Sequence, residues 1–314
     1  MFKSKKILVM SALSIAVALS ACQPKQTEKK EEQPKTQTEK VQEKLVGETQ
    51  ELSLNIQNCQ SNQCSDLSID RLKSNQPFVD KVIDEQILKL LKETFELTPE
   101  QENTDNAASE PSSEVEPTKP LTEKDKLEKQ VVPYVKAFLN LEAEIKALNA
   151  NHQINVMIKP KILNSREPLA TVVLNSSSYL GGAHGSSAQE YFNFDLDEKK
   201  QIKLNDLVEA NKLKDLEKVA YEQFKIWVVE SELTTNVDEY EQTWKFKLTD
   251  NFNLGKNGLI LQYAEYEIAP YFVGLPRITI PYEQLQTILK PKYLPESLKQ
   301  VNQPASEIVV KEKK

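Results

Sequence analysis

Residues 168–196 read PLATVVLNSSSYLGGAHGSSAQEYFNFDL. Two runs in it, PLATVVLNSS (168–177) and AQEYFNFDL (188–196), are rich in β-branched and aromatic residues, as strands are. Between them, SYLGGAHGSS (178–187) holds three of the chain's seven glycines and one of its two histidines. Glycine permits positive φ and close approach of backbone to backbone. A Gly-Gly pair and a further Gly around one His fit a wide turn that crosses another segment of the chain.

Working outward, INVMIKPKIL (154–163) reads as another strand, and Pro160 places it at a sheet edge. Before it, Thr122 and Asp125 have the spacing of a capping box. A helix follows with Leu127, Val131, Val135, Phe138, Leu141 and Ile145 on one face, and Pro133 is expected to kink or restart it. Downstream, residues 202–230 read as a strand end, a turn and a long helix with Leu213, Leu216, Val219, Ala220, Phe224 and Trp227 inward. NFNLGKNGLILQY (251–263) is a hairpin with GKNG at its tip, and RITIPYEQLQTIL (277–289) a strand running into a last helix. Near the start, KLVGETQELSLNIQN (44–58) and CSDLSIDRLKS (64–74) alternate apolar and polar residues as hairpin strands do. Pro77 opens a helix carrying Val79, Val82, Ile83, Ile87, Leu90 and Leu91 at helical spacing. Hairpins mixed with helices imply an α+β fold, an antiparallel sheet with helices packed on one face, preceded by a small hairpin-helix unit.

The amino-terminal stretch MFKSKKILVMSALSIAVALSAC has a basic start (Lys3, Lys5, Lys6), an apolar run from Ile7 to Ala18 too short to span a bilayer, and Leu19-Ser20-Ala21-Cys22. Leu-Ser-Ala-Cys is similar to the lipobox of bacterial lipoproteins. That resemblance implies a signal peptide over 1–21, acylation of Cys22 and anchoring in a lipid bilayer; Gln23 favours the outer membrane, facing the periplasm, in a Gram-negative host. With Cys22 acylated, Cys59 and Cys64 are left as a pair in NCQSNQCS, and an oxidising compartment favours their disulfide over two free thiols. Residues 22–42 have the composition of a charged, disordered tether, with Val41 the one apolar residue after the Cys. Residues 98–121 begin with six acids before the first Lys, carry four prolines, and read as an acidic linker. The expected layout is therefore signal 1–21, tether 22–42, hairpin-helix unit 43–97, linker 98–121, main α+β domain 122–299 and a loose tail 300–314.

The formal net charge is −7. Removing residues 1–21 takes away lysines and no acids, so a mature chain is more acidic still. This argues against nucleic acid and anionic headgroups as partners and suits a cationic partner or plain solubility. No H-E-x-x-H, P-loop, dinucleotide fingerprint or G-x-S-x-G is present. With His184 and His152 the only histidines and no shared motif, neither a metal site nor a cofactor is expected.

Three segments together carry a family resemblance, one of them the hairpin and helix before the linker, which look like the smaller domain that precedes the other two. YLGGAHGSSAQEYFNFDLDEKKQIKLNDL (179–207) resembles the GGAHG segment of the RsiV-type extracytoplasmic domain family, and NFNLGKNGLILQYAEYEIAPYFVGLPRITIPYEQL (251–285) its second signature. The resemblance extends over roughly residues 43–292, with the acidic linker as a departure. It implies the same α+β fold. For function it implies binding in the cell envelope: members include a lysozyme-binding anti-sigma sensor, a domain attached to a peptidoglycan deacetylase, and many lipoproteins. The anti-sigma segment and a deacetylase module are both missing from this sequence. The expectation is thus a non-enzymatic, anchored envelope lipoprotein that binds a lysozyme-type protein or peptidoglycan. Its alternatives are a cell-wall carbohydrate-active enzyme, or a structural lipoprotein with no ligand. Candidate ligand-binding residues are Gly181, Gly182, His184 and Gly185 of the loop, and Tyr266, Glu267, Pro270 and Tyr271 of QYAEYEIAPYFVGLPR (262–277). Tyrosines beside carboxylates can stack sugar faces or form protein hot spots. On a strand, Glu265 and Glu267 would share one face about 7 Å apart, a superficial likeness to a glycosidase pair. The plainer alternative is that the glycines solve a backbone problem, His184 holds the loop, and the tyrosines cap a sheet.

Overall fold

The computed structural model describes residues 44–54, 56, 65–96, 120–148, 153–165 and 168–299. Cys22, Cys59, Cys64 and His152, the expected signal and tether, nearly all of the acidic linker and the tail lie outside the described residues. The elements are β1 (Gly47–Glu51), β2 (Asp66–Ser74), α1 (Pro77–Phe95), α2 (Glu123–Ala147), β3 (Asn155–Asn164), β4 (Ala170–Tyr179), β5 (Ser186–Asp195) and β6 (Lys200–Ile202). They continue with α3 (Leu204–Leu207), α4 (Leu213–Glu230), α5 (Val237–Tyr240), β7 (Phe252–Leu254), β8 (Gly258–Gln262), β9 (Arg277–Pro281) and α6 (Glu296–Lys299).

The fold is α+β, and its sheets are mostly antiparallel. Strands β1 to β6 form one sheet in sequence order, and β7, β8 and β9 a second. One pairing departs from the expected antiparallel pattern: β2 and β3 run parallel, from Asp66↔Asn155 to Ile69↔Ile158. A parallel pair needs a crossover, and the chain makes it through α1 and α2. The early hairpin therefore shares a sheet with the later strands. Pro160 lies beyond the last β2 partner of β3, Ile158, so a strand internal over 155–158 has no β2 neighbour where its proline lacks an N–H.

Alternation decides the faces. Val156 and Ile158, Ala170, Val172 and Leu174, and Phe192 and Phe194 point to the helix side. There they pack with Val79, Ile83, Ile87 and Leu91 of α1 and Leu127, Val131, Val135 and Phe138 of α2. Helix α2 begins with the expected capping box. Asp125 N donates to Thr122 Oγ1 at 3.2 Å, and Thr122 N donates to Asp125 Oδ2 at 2.8 Å. It runs through Pro133 as one element. A partly buried bidentate pair, Arg71 to Asp84 at 2.7 and 3.3 Å, ties β2 to α1.

A second core gathers Leu216, Ala220, Phe224 and Val228 of α4 against Leu259, Leu261, Ile278 and Ile280 of the smaller sheet. Leu213, expected inward, is 40% exposed, because the helix starts there and the inward stripe begins with Leu216. The expected last helix is also replaced. After Pro281 the chain makes a short 3-10 turn, Tyr282–Gln284, and then tight turns that bury Leu285, Ile288 and Leu289. Backbone bonds from Lys290 N to Leu207 O and Glu209 N to Ile288 O tie this stretch to the α3 end instead of to its own helix.

Candidate functional site

The two sheets meet along β5. Its pairing with β6 covers only Asn193 to Asp195, so residues 186–192 have no strand on that side. Side chains of the second half finish this edge. Asn251 accepts from Tyr191 N at 2.8 Å and donates to Gln189 O at 2.7 Å. Glu265 Oε1 accepts from Ser187 N at 3.2 Å. Asn193, buried, donates to Phe252 O at 2.8 Å. Unpaired edge N–H groups invite foreign strands, and these side chains occupy them. They also bring the Tyr-rich segment to the glycine loop.

There His184, Tyr266 and Tyr271 form one cluster. The His184 ring stacks on Tyr271 at 4.0 Å between centroids, with 26° between planes. Tyr266 lies 5.6 Å from Tyr271 and 6.0 Å from His184, and Trp244 stacks on Tyr266 at 6.4 Å. The hydroxyl of Tyr271 donates to Gly185 O at 3.0 Å. His184 Nδ1 lies 3.0 Å from Gly185 O, and its Nε2 lies 3.1 Å from the Tyr266 hydroxyl. A carbonyl can only accept, so Nδ1 donates to Gly185 O. His184 and Tyr266 are exposed, and Phe272 beside them is 80% exposed.

Local backbone explains how this is built. Gly181 has φ +89°, and a Cβ there would lie 3.2 Å from Ile145. A Cβ on Gly185 would lie 2.9 Å from Ser178 O, so only glycine lets the loop close over β4. Gly182 is exposed, with nothing nearer than 3.9 Å. Pro270 caps the 3-10 turn Tyr271–Val273 that presents Tyr271. Tyr266 sits at φ +62°, unusual for a bulky residue. Such outliers persist where surrounding structure imposes them, often at binding sites.

Of the candidate residues, the structure brings together His184, Gly185, Tyr266 and Tyr271. Gly181 turns toward Ile145 and Gly182 toward solvent, away from the rings. Glu267 folds back to accept from Ala264 N at 2.9 Å. The strand expected to carry Glu265 and Glu267 on one face ends at Gln262, and both acids lie in turns. Both carboxylates are thus engaged by backbone N–H groups.

Sequence reasoning missed Trp244, Asn251 and Arg277, which reach the site from separate elements and carry no local motif. Arg277 donates through Nε to Gln262 Oε1 at 3.0 Å, and through Nη2 to Gln189 Oε1 at 3.1 Å and Tyr191 Oη at 3.2 Å. Below the site, buried Tyr263 has no partner for its hydroxyl, and burial pushes its pKa well above the ordinary phenol value. Among the described residues no group of three or more His, Cys, Asp or Glu could hold a metal, and no helix is long and apolar enough to cross a membrane.

Fold and site define a two-sheet α+β domain with a histidine-tyrosine surface at the junction of the sheets. Residues 204–283 match the family model DUF3298, described as a protein of unknown function. Peptidoglycan-N-acetylmuramic acid deacetylase PdaC from Bacillus subtilis (strain 168) is 24% identical over 140 residues, which cover 43% of this chain and 29% of that protein. The match thus spans less than a third of that relative's length. The fold is similar to that of a DUF3298 family protein from Pseudomonas aeruginosa PAO1, with a TM-score of 0.54 and 24% identity, covering 80% of this chain and 95% of the other. A DUF3298 family member from Bacteroides fragilis NCTC 9343 gives 0.50 and 20% over the same shares.

Proposed function

We propose that this protein is a non-enzymatic recognition lipoprotein of the cell envelope that holds peptidoglycan glycan on the rings of His184, Tyr266 and Tyr271. The observation that carries the reading is the ring cluster itself. Three rings are locked to one another and to the loop backbone, yet two of them stay open to solvent. Preorganised aromatic faces with polar tips suit sugars, which offer an apolar face and a rim of hydroxyls. A relative named for deacetylation of peptidoglycan supports this polymer, and the RsiV-type resemblance allows it beside a lysozyme-type protein. Glu265 and Glu267 each give one carboxylate oxygen to a backbone N–H, which supports a positioning role for them beside the rings. In this reading Cys22 carries the acyl anchor, and a Cys59–Cys64 disulfide closes the early hairpin.

Co-sedimentation of the purified protein with peptidoglycan sacculi, at low and at physiological salt, tests it. Saturable binding is expected. Tyr266→Asn should weaken it about tenfold while leaving the melting temperature unchanged or raised, since Asn tolerates positive φ. No saturable binding would overturn the reading. Anchoring is tested separately: Cys22→Ala should move the protein out of the membrane fraction. A second reading, capture of a lysozyme-type cationic protein, is favoured by the net charge of −7. It predicts binding to lysozyme that fades as salt rises.

A further inference from the structure

The chain holds an arginine against β5, the strand that leaves the glycine loop. Arg277 is exposed on β9, and its Nε and Nη2 are held by three neutral acceptors: Gln262 Oε1, Gln189 Oε1 and the Tyr191 hydroxyl. The acceptors are themselves fixed. Gln262 is fully buried and donates to the carbonyls of Tyr263 and Pro276. Gln189 donates to Asn175 Oδ1 at 3.0 Å across the β4–β5 ladder. Among the described residues no carboxylate pairs with Arg277. Arg71, by contrast, is neutralised by Asp84 at 2.7 Å.

An acidic protein that immobilises a cation without neutralising it keeps that charge available to an outside anion. A guanidinium fixed in this way loses little further freedom on binding, and its planar fork matches a carboxylate. Position gives the second argument. Gln189, which holds Arg277, lies two residues along β5 from Ser187, which holds Glu265 next to Tyr266. Two residues of strand span about 7 Å, roughly a sugar ring and its substituent.

We infer that Arg277 is the anion-recognising subsite of the same surface, and that the ligand is a glycan bearing a carboxylate near the sugar stacked on Tyr266 and Tyr271. The inference rests on the glycan reading above and deepens it. The carboxylate belongs either to the sugar's own substituent or to an attached peptide.

The test uses the full chain in detergent and four soluble probes. These are peptidoglycan fragments, the same fragments with carboxylates blocked by amidation, glycan strands stripped of peptide, and neutral chito-oligosaccharides. Wild type should bind the untreated fragments about tenfold more tightly than the amidated ones, with the preference shrinking as salt rises. Arg277→Gln should abolish that preference and leave affinity for the neutral oligosaccharide unchanged. Arg277→Lys should restore part of it, since the charge remains and the fork is lost. Tyr266→Asn should weaken all probes alike. Stripped strands that keep the Arg277-dependent preference place the carboxylate on the sugar; loss of it places the carboxylate on the peptide. Equal wild-type affinity for untreated and amidated fragments would overturn the subsite and leave the glycan reading standing. Failure of every probe to bind would overturn both. Because amidation changes the ligand and not the protein, a folding defect in an Arg277 variant cannot mimic the expected result.

Discussion

Two glycine loops join antiparallel strands here, and they share one device. Between β7 and β8, Gly255 O accepts from the Tyr282 hydroxyl at 2.9 Å. Between β4 and β5, Gly185 O accepts from the Tyr271 hydroxyl at 3.0 Å. A tyrosine from a later segment pins the loop in both cases. The surroundings differ. Tyr282 is 6% exposed, and burial pushes its pKa up to about 12. Tyr271 is half-buried, and its ring is one wall of an open cluster. Pinning alone is therefore a structural motif. It becomes a candidate for recognition when the pinned loop turns rings outward and no core covers them.

The comparison can be broken at its glycines. The largest effect is expected at Gly258, where a Cβ would lie 2.1 Å from the Ile280 carbonyl oxygen, well inside contact distance. Gly258→Ala should destabilise by about 3 kcal/mol in urea unfolding by forcing β8 and β9 apart. A small effect there would mean that the second sheet is looser than its pairing suggests. Next comes Tyr282→Phe, which strands the Gly255 carbonyl and should reduce stability by about 1 kcal/mol with no change in glycan binding. Tyr271→Phe should do the reverse: a smaller loss of stability, because water reaches the loop, and weaker binding, because the loop that carries His184 loses its pin at the Gly185 carbonyl. If both variants lose stability alone, the two loops are of one kind. Gly182→Ala, with open space around it, should stay within about 0.5 kcal/mol of wild type.

The smallest effect concerns the strand that leaves the GGAHG loop. Burial raises the pKa of Glu190 above its ordinary value of 4.5, although its Oε2 accepts from Gln86 at 2.8 Å. In the folded state this acid holds its proton to higher pH than in the unfolded state. Its contribution is therefore fully present below the unfolded value and is lost as pH rises through the folded one. Glu190→Gln should accordingly raise the melting temperature slightly at neutral pH, and the gain should vanish by about pH 4. A gain that persists at acid pH would assign the effect to packing.

Much of this was legible in the chain because it is local. GKNG between apolar runs announced β7 and β8, and helical spacing announced the inward residues of α1, α2 and α4. The parallel β2–β3 pair was not, since it joins segments almost ninety positions apart and leaves no periodic trace. The expected last helix failed because Leu285, Ile288 and Leu289 fit a helical stripe, while backbone bonds to the α3 end favour turns. His184 and the tyrosines stood out singly. Their meeting, and the arrival of Trp244 and Arg277, depends on β5 receiving the second sheet's side chains. The turn at Tyr266 with its positive φ likewise has no sequence mark, because nothing about a tyrosine predicts it.

The finish applied to β5 has a consequence for crowding. Asn251 and Glu265 occupy the free edge over Ser187 to Tyr191, as a selvedge keeps a woven cloth from unravelling or catching. Where many copies share a surface, such an edge would otherwise template chain-to-chain zippering. Two side chains thus cover this stretch of β5 against a neighbouring strand while leaving the ring surface beside it open.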